Sequence, residues 1–339
     1  MKLRISFDSI IYRLQSYGGA TDYWRNLVNH IKQDSRFEVS EISPGRLGRY
    51  ERFIPVLGNG SFDIFHSSHF RNPLGKSCKV VTTVHDLTYE LGYLGNGLGS
   101  SLNIAQRKAS YFKADGIICI SDNTRRDLLD IYPELSSKTI ITIHHGIDTA
   151  DFFDLDAQTM SSGYALYVGA RHSYKSFDNA VLGFSKSKFC ANGGRLICTG
   201  AEFGPSEIEF LMGIGLESQV ISVGKVSKAQ LAGLYKNAFA LIYSSSYEGF
   251  GLPLLEAMLL GCPVVAKNAS CIPEILSGAG LLYDSPDIVE LSGSLDKLMC
   301  KDYRSAVIRA GLTRSKSFSL EKSIEKHKEF YLTLKGYSI

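Results

Sequence analysis

Two glutamates, Glu248 and Glu256, stand at either end of Glu248-Gly-Phe-Gly-Leu-Pro-Leu-Leu-Glu256. The apolar run Phe239-Ala-Leu-Ile-Tyr243 precedes them and reads as a buried strand. Pro253 then falls in the first turn of a helix, where its fixed φ and missing N–H cost nothing. A strand, a glycine-bearing loop and a helix N-terminus together make an anion site, because unbonded backbone N–H groups and the positive end of the helix dipole meet there. Carboxylates on both sides of such a site suit a ligand with phosphates and hydroxyls, such as a nucleotide sugar. An acid that only stabilises the helix dipole would account for Glu256 but not for Glu248 in the loop.

Cations suited to the same ligand occur in Tyr167-Val-Gly-Ala-Arg-His-Ser-Tyr-Lys-Ser176, just after another strand-like run. Arg171 offers a planar fork and Lys175 a point charge, and either can hold phosphate. A diphosphate leaving without a metal needs fixed positive charge of this kind. The plain alternative is a pair of surface cations. His85 ends the β-branched run Val81-Thr-Thr-Val84; a lone histidine is more often a structural hydrogen-bonder, and Asp86 beside it reads as a loop-orienting group. The paired Gly18 and Gly19 in Tyr17-Gly-Gly-Ala-Thr-Asp22 let backbone approach a ligand closely, although the spacing is not GxGxxG. His66 with His69, and His144 with His145, lack a carboxylate or cysteine at metal-ligand spacing and read as loop residues.

The elements that must position these residues alternate in type. Strand-like runs fall at 3–7, 63–66, 79–84, 116–120 and 140–143, then at 164–168, 195–199, 220–223, 240–243 and 263–266. Helical patterns lie between them, at 21–32, 123–130 (capped by Ser121 or Asp122), 228–236 and 253–260. This alternation implies an α/β fold with two doubly wound parallel sheets, each covered on both faces. The polar stretch 148–163 separates the two series, giving a first domain at 1–155 and a second at 156–319. The charged helical segment 320–339 is free to pack back on the first domain. In doubly wound domains the strand C-termini line the binding crevice, so the two are expected to face a common cleft.

Bulk properties narrow the function classes. A chain of 339 residues with 44% hydrophobic and 21% charged residues is ordinary globular material. The net charge of +3 argues against a dedicated nucleic-acid binder. Residues 1–113 nevertheless hold 15 Lys/Arg against 9 Asp/Glu, whereas residues 114–155 hold 3 against 8. The basic first part is either a solvated surface or a face for anionic lipid or a diphosphate-linked acceptor. Seven cysteines without a CxxC pair read as buried reduced thiols in a cytoplasmic protein. The N-terminal run reads as a strand, not a signal peptide, and no apolar stretch approaches the roughly 20 residues of a membrane span.

The glutamate stretch continues into Ala257-Met258, Gly261-Cys-Pro-Val-Val265 and Ile272-Pro-Glu-Ile275. In these surroundings the chain resembles the retaining GT-B glycosyltransferases of family four, the group with bacterial mannosyltransferases of lipopolysaccharide and O-antigen synthesis. The likeness runs over nearly the whole chain. It implies that Glu248 contacts donor-sugar hydroxyls and Glu256 the ribose, with the backbone at Phe250, Gly251 and Leu252 facing the diphosphate. It further implies that Arg171 and Lys175 meet the diphosphate, that His85 lies beside the donor sugar, and that Gly18 and Gly19 let diphosphate and acceptor meet. Val226, in Val223-Gly-Lys-Val-Ser227, belongs to a loop resembling the one beside the nucleotide base. His144-His-Gly-Ile-Asp148 resembles the family's turn into the linker. Asp154-Leu-Asp156 spells the metal-binding acid pair of the other major glycosyltransferase fold, but it falls in the expected linker and reads as coincidence.

The resemblance implies a metal-independent hexosyltransferase that needs no cofactor and uses a nucleoside-diphosphate sugar, GDP-mannose before UDP-glucose, UDP-galactose or UDP-N-acetylhexosamine. The acceptor is a hydroxyl of a growing surface glycan, lipid-diphosphate-linked or soluble, with Arg46, Arg49 and Arg52 as surface contacts. The protein is expected in the cytoplasm, with peripheral contact at the inner membrane. Two rivals are an epimerase or phosphorylase of the same architecture and a non-catalytic nucleotide-sugar binding module. A phosphorylase should be much longer and carry a pyridoxal-phosphate lysine. The set Glu248, Glu256, Lys175 and His85 argues against the module.

Overall fold

The computed structural model describes residues 2–16, 18–57, 62–75, 78–148, 163–171, 173–284 and 288–337. The chain divides into two compact units, Met1–Gly146 with Leu320–Ile339, and Ile147–Ser319. The division falls after Gly146 rather than after 155. Most of the expected linker, including Asp154 and Asp156, lies outside the described residues.

Unit 1 is built on six parallel strands: β1 (Leu3–Asp8), β2 (Phe37–Ile42), β3 (Ile64–Ser67), β4 (Lys79–Val84), β5 (Gly116–Cys119) and β6 (Thr139–Thr142), in the order β2-β1-β3-β4-β5-β6. β3, β4 and β5 are buried along their length apart from Lys79, which is why they read as continuous apolar or β-branched runs. Helix Gly19–Lys32 turns Thr21, Trp24, Leu27, Val28 and Ile31 inward, the three-and-four spacing of an amphipathic helix. Helix Asp122–Ile131 starts where Ser121 Oγ accepts the Thr124 N–H at 3.0 Å, so Ser121 is the cap. The C-terminal helix Leu320–Leu334 lies in this unit. Leu320, Ile324, Phe330 and Tyr331 share one core with Leu3, Ile5, Phe7, Trp24 and Ile118. A Cβ on Gly116 would come within 2.7 Å of the Phe330 ring, so the helix can approach β5 only over a glycine.

Unit 2 repeats the plan with β7 (Tyr164–Val168), β8 (Arg195–Thr199), β9 (Val220–Ser222), β10 (Ala240–Tyr243), β11 (Val264–Lys267) and β12 (Leu281–Tyr283), all parallel, in the order β12-β11-β10-β7-β8-β9. The order reverses between β7 and β10, and between β1 and β3 in unit 1. Loops leaving neighbouring strands at such a reversal run to opposite faces and open a crevice at the strand C-termini. β2 and β12, absent from the strands expected from sequence, are both edge strands; β12 has three residues and β2 is mostly solvent-facing. Cys119, Cys190, Cys198, Cys262 and Cys271 are buried, whereas Cys300 is exposed, contrary to a uniformly buried set.

Candidate active site

In unit 2 the loops after β7 and β10 leave adjacent strands at the reversal, and they bring Lys175 and Glu248 together. Lys175 Nζ lies 2.6 Å from Glu248 Oε1, with both side chains largely buried. Several bonds fix each partner. The Lys175 carbonyl accepts from Ser244 Oγ at 2.8 Å and Tyr167 Oη at 3.3 Å. The Glu248 N–H donates to Ser270 Oγ at 2.9 Å, and the Glu248 carbonyl accepts from Cys271 Sγ at 3.2 Å. Burial first, and then the charge of the nearby Glu248 carboxylate, push the Tyr243 phenol well above the usual range. An ammonium has further N–H donors beyond the one used on Glu248, so Lys175 can serve a phosphate as well.

Gly251 adopts the left-handed conformation, φ 89° and ψ 59°, and heads helix Leu252–Leu259. A Cβ there would press to 3.0 Å from Leu254 in a backbone region that only glycine enters cheaply. Pro253 is therefore the second helical residue, not the first. Phe250 is buried edge-on against Phe318, which turns its side chain inward. Glu256 comes one turn later, and its Oε2 accepts from Tyr235 Oη at 2.9 Å. Tyr235, which sequence reasoning passed over, thus holds Glu256. It follows Leu231-Ala-Gly-Leu234, a run whose apolar character makes a tyrosine look like core.

Arg171 differs from expectation. Its side chain is only 5% exposed and its Nε lies 2.7 Å from Glu207 Oε1. Nη2 donates to the carbonyls of Ala201 and Glu202 at 2.7 and 2.9 Å, and the guanidinium lies over the Phe203 ring. Nη1 is buried with no partner. Arg171 therefore has one unpartnered nitrogen, Nη1, rather than an open fork, because Glu207 and two carbonyls, too remote in sequence to anticipate, occupy the rest. Val226 is half-buried just before Ser227, whose hydroxyl caps the next helix by accepting from Gln230 N–H.

In unit 1, Gly18 has φ 126° and caps helix Gly19–Lys32, with Gly19 as its first residue. His85 follows β4 in a cluster of rings. It stacks on His145 at 5.9 Å and 15° and meets the edge of Tyr23 at 5.2 Å. Its Nε2 is buried and unpartnered, and burial lowers its pKa to about 4. The imidazole is neutral at ordinary pH and fit to exchange a hydrogen bond with a hydroxyl. Asp86 accepts from Thr88 N–H and Oγ1 at 3.0 and 2.7 Å, the loop-orienting role expected of it.

His66 is not a loop residue: it belongs to β3 and is fully buried. Its Nδ1 pairs with Tyr331 Oη at 2.7 Å and its Nε2 with Thr83 Oγ1 at 2.9 Å, which leaves no nitrogen for a metal. His327 Nε2 pairs with Tyr23 Oη at 2.7 Å, and Tyr23 carries His85 on its ring. The C-terminal helix thus buttresses the His85 pocket, a link across some three hundred positions that no local pattern signals.

Burial holds His66 and His145 well below the ordinary imidazole range and His327 at about 4, like His85. An unfolded histidine titrates near about 6.5. Between that value and about 4 the unfolded chain binds protons that folded unit 1 refuses, so stability falls as pH drops through this window. Burial lowers His69 as well, to about 3; Asp8, held up at about 6 by burial, and Glu90, also raised by burial, oppose this, but they are two groups against five. The urea midpoint of unit 1 is expected to be flat above pH 7 and to decline steadily from 6.5 to 4.5. A midpoint independent of pH over that range would refute the neutral buried cluster.

Residues 157–312 match the family model described as Glycosyl transferases group 1, and residues 36–151 match Glycosyltransferase Family 4. The O-antigen chain mannosyltransferase B of Escherichia coli is 27% identical over 287 residues, spanning 76% of this chain and 71% of that protein. Sucrose-phosphate synthase from Thermosynechococcus elongatus shares the fold with a TM-score of 0.76 at 18% identity, over 98% of this chain and 99% of that one. Anabaena Alr3699/HepE, solved with UDP and glucose, does so at 0.73 and 14% identity, over 98% and 100%.

Proposed function

The chain belongs to glycosyltransferase family four and has its GT-B fold of two Rossmann-like domains, and from that premise we propose a retaining, metal-independent hexosyltransferase. The donor we propose is GDP-mannose, and the acceptor a hydroxyl of a growing O-antigen-type glycan carried on a lipid diphosphate. The observation that carries the reading is the pairing of Lys175 with Glu248 at the β7/β10 reversal, with Glu256 held one helical turn beyond it. No described helix is long and apolar enough to cross a membrane, and we propose peripheral contact at the cytoplasmic face of the inner membrane.

In this mechanism the acceptor oxygen bonds to the anomeric carbon on the face from which the diphosphate departs. The carbon–phosphate-oxygen bond breaks, and the departing diphosphate takes the acceptor proton. Lys175, the unpartnered Nη1 of Arg171 and the N–H groups that begin helix Leu252–Leu259 stabilise the charge that develops on the leaving group. Glu248 accepts hydrogen bonds from the sugar hydroxyls and Glu256 from the ribose, while neutral His85 in unit 1 is fit to exchange a hydrogen bond with a hydroxyl. Gly18 and Gly19 present backbone, not side chain, at the start of helix Gly19–Lys32. A second reading, a UDP-hexose donor, draws on the Anabaena relative solved with UDP and glucose.

Incubation with a panel of nucleotide sugars and a glycan acceptor, with and without EDTA, tests the proposal by diphosphate release and by the anomeric configuration of the product. Release that chelation leaves unchanged, with configuration retained, is expected. No turnover with any donor would sink the enzyme, and loss on chelation would sink the metal-free step. A thermal-shift comparison of GDP with UDP decides the base. Tyr235→Phe, which removes only the hydroxyl that orients Glu256, is expected to weaken nucleoside-diphosphate binding by roughly three- to tenfold. Unchanged affinity in a calorimetric titration would detach Glu256 from the ribose.

A further inference from the structure

Unit 1 exposes an apolar surface that its core does not use. Next to and within the 3-10 segment Gly48–Phe53, Leu47, Tyr50 and Leu57 are 61%, 64% and 73% exposed. Helix Leu98–Lys113 adds Leu98 and Leu102, 88% and 61% exposed and one turn apart on one face. The segments adjoin. Arg52 of the first touches Asn103 of the helix, and its carbonyl accepts from Gln106 Nε2. Val56 bridges Pro73, which places exposed Leu74 beside Leu57. Single exposed leucines are ordinary, but six large apolar side chains on three adjoining segments mark an interaction surface.

The charge on these segments has one sign. Residues 42–57, 69–75 and 91–113 contain a single acid, Glu51, and it is buried. Arg46, Arg49 and Lys108 are exposed among the apolar side chains. A protein-binding centre excludes charge and gathers its apolar groups together. Here cation and apolar side chain alternate along the chain, as Arg46-Leu47, Arg49-Tyr50 and Arg52-Phe53, and Arg49 lies over the Tyr50 ring. That pattern matches a lipid surface, where cations stay among phosphates and apolar groups enter just below them.

We infer that this face docks on an anionic lipid bilayer: Leu47, Tyr50, Leu57, Leu98 and Leu102 enter the headgroup–acyl boundary, while Arg46 and Arg49 meet lipid phosphates. It gives the peripheral contact proposed above its residues, and it rests on that reading for its biological sense but not for its physics.

The test floats the full chain with phosphatidylethanolamine vesicles rich in phosphatidylglycerol, and with phosphatidylcholine vesicles. Binding to the anionic vesicles, weakened by salt, is expected. Leu47→Ser with Tyr50→Ser should lower it by roughly tenfold or more while leaving the thermal melt unchanged. Arg46→Glu with Arg49→Glu should lower it by a similar, roughly tenfold factor that high salt erases. Wild-type protein that ignores the vesicles overturns the inference, as does a serine double variant that binds like wild type. Self-association of the wild type through this face, abolished by the serine pair, overturns it too. Diphosphate release with a soluble acceptor, measured on the same preparations, keeps the two readings apart. Transfer without vesicle binding removes the docking surface alone, and vesicle binding without transfer from any donor removes the enzyme alone.

Discussion

Lys175→Met is expected to lower kcat by about 10²- to 10³-fold, the usual consequence of removing one fixed donor from a site of developing negative charge. The donor's ground-state affinity should change much less, because the charge on the leaving diphosphate grows only as the glycosidic bond breaks. Glu248→Gln should act differently. It keeps the size of the side chain but removes a hydroxyl-accepting carboxylate and the countercharge of Lys175, so kcat and donor affinity should both fall. The two side chains lie 2.6 Å apart, which makes their effects non-additive. The double variant should be little worse than Lys175→Met alone, since the lone buried carboxylate that the single variant leaves behind is then gone. Steady-state kinetics across the four proteins measure this coupling. Full additivity would mean that the pair seen in the structure does not act as a unit, and wild-type kcat in Lys175→Met would remove it from the chemistry.

The expectation for Lys175 and Glu248 came from sequence, but the sequence did not show how they are held. Strand identity was legible in β4, β7, β8 and β10 because buried parallel strands are continuous apolar or β-branched runs with sharp ends. β2 was not, since an edge strand that faces solvent over most of its length has no such run. The glycine loop at 248–251 was legible because Gly251 needs a positive φ and Pro253 fits a first turn, both local requirements. Arg171 shows the limit. Its residue type and place after β7 fit a phosphate, yet Glu207 and two carbonyls claim most of its donors. Partners that arrive from another element decide what a charged side chain is free to do, and a single sequence carries no record of them. The same holds for Tyr235, whose hydroxyl orients Glu256 although its ring is plain core.

The helix Leu320–Leu334 belongs to unit 1 in energy as well as in position, so ending the chain at residue 319 is expected to unfold that unit. Leu320, Ile324, Phe330 and Tyr331 are all buried in its core. Burial of one large apolar side chain stabilises by about 1.5–3 kcal/mol, and four together approach the whole stability of about 5–15 kcal/mol of a typical domain. The truncation also strips Tyr331 from His66 and His327 from Tyr23, leaving buried polar groups unpaired at a further cost of about 1–3 kcal/mol each. Unit 2 contains none of these side chains and has its own core, so it should stay folded. Calorimetry of the truncated chain should therefore lose one transition and keep another, and hydrogen exchange should show loss of protection in β1, β3, β4 and β5 but not in β7 to β11. Tyr331→Ala is the milder form of the experiment, with an expected loss of about 3–5 kcal/mol confined to unit 1. A truncated chain with both transitions intact would show that unit 1 folds without the helix. In that case the Tyr23–His327 contact would be an accessory to the His85 pocket rather than part of what builds it.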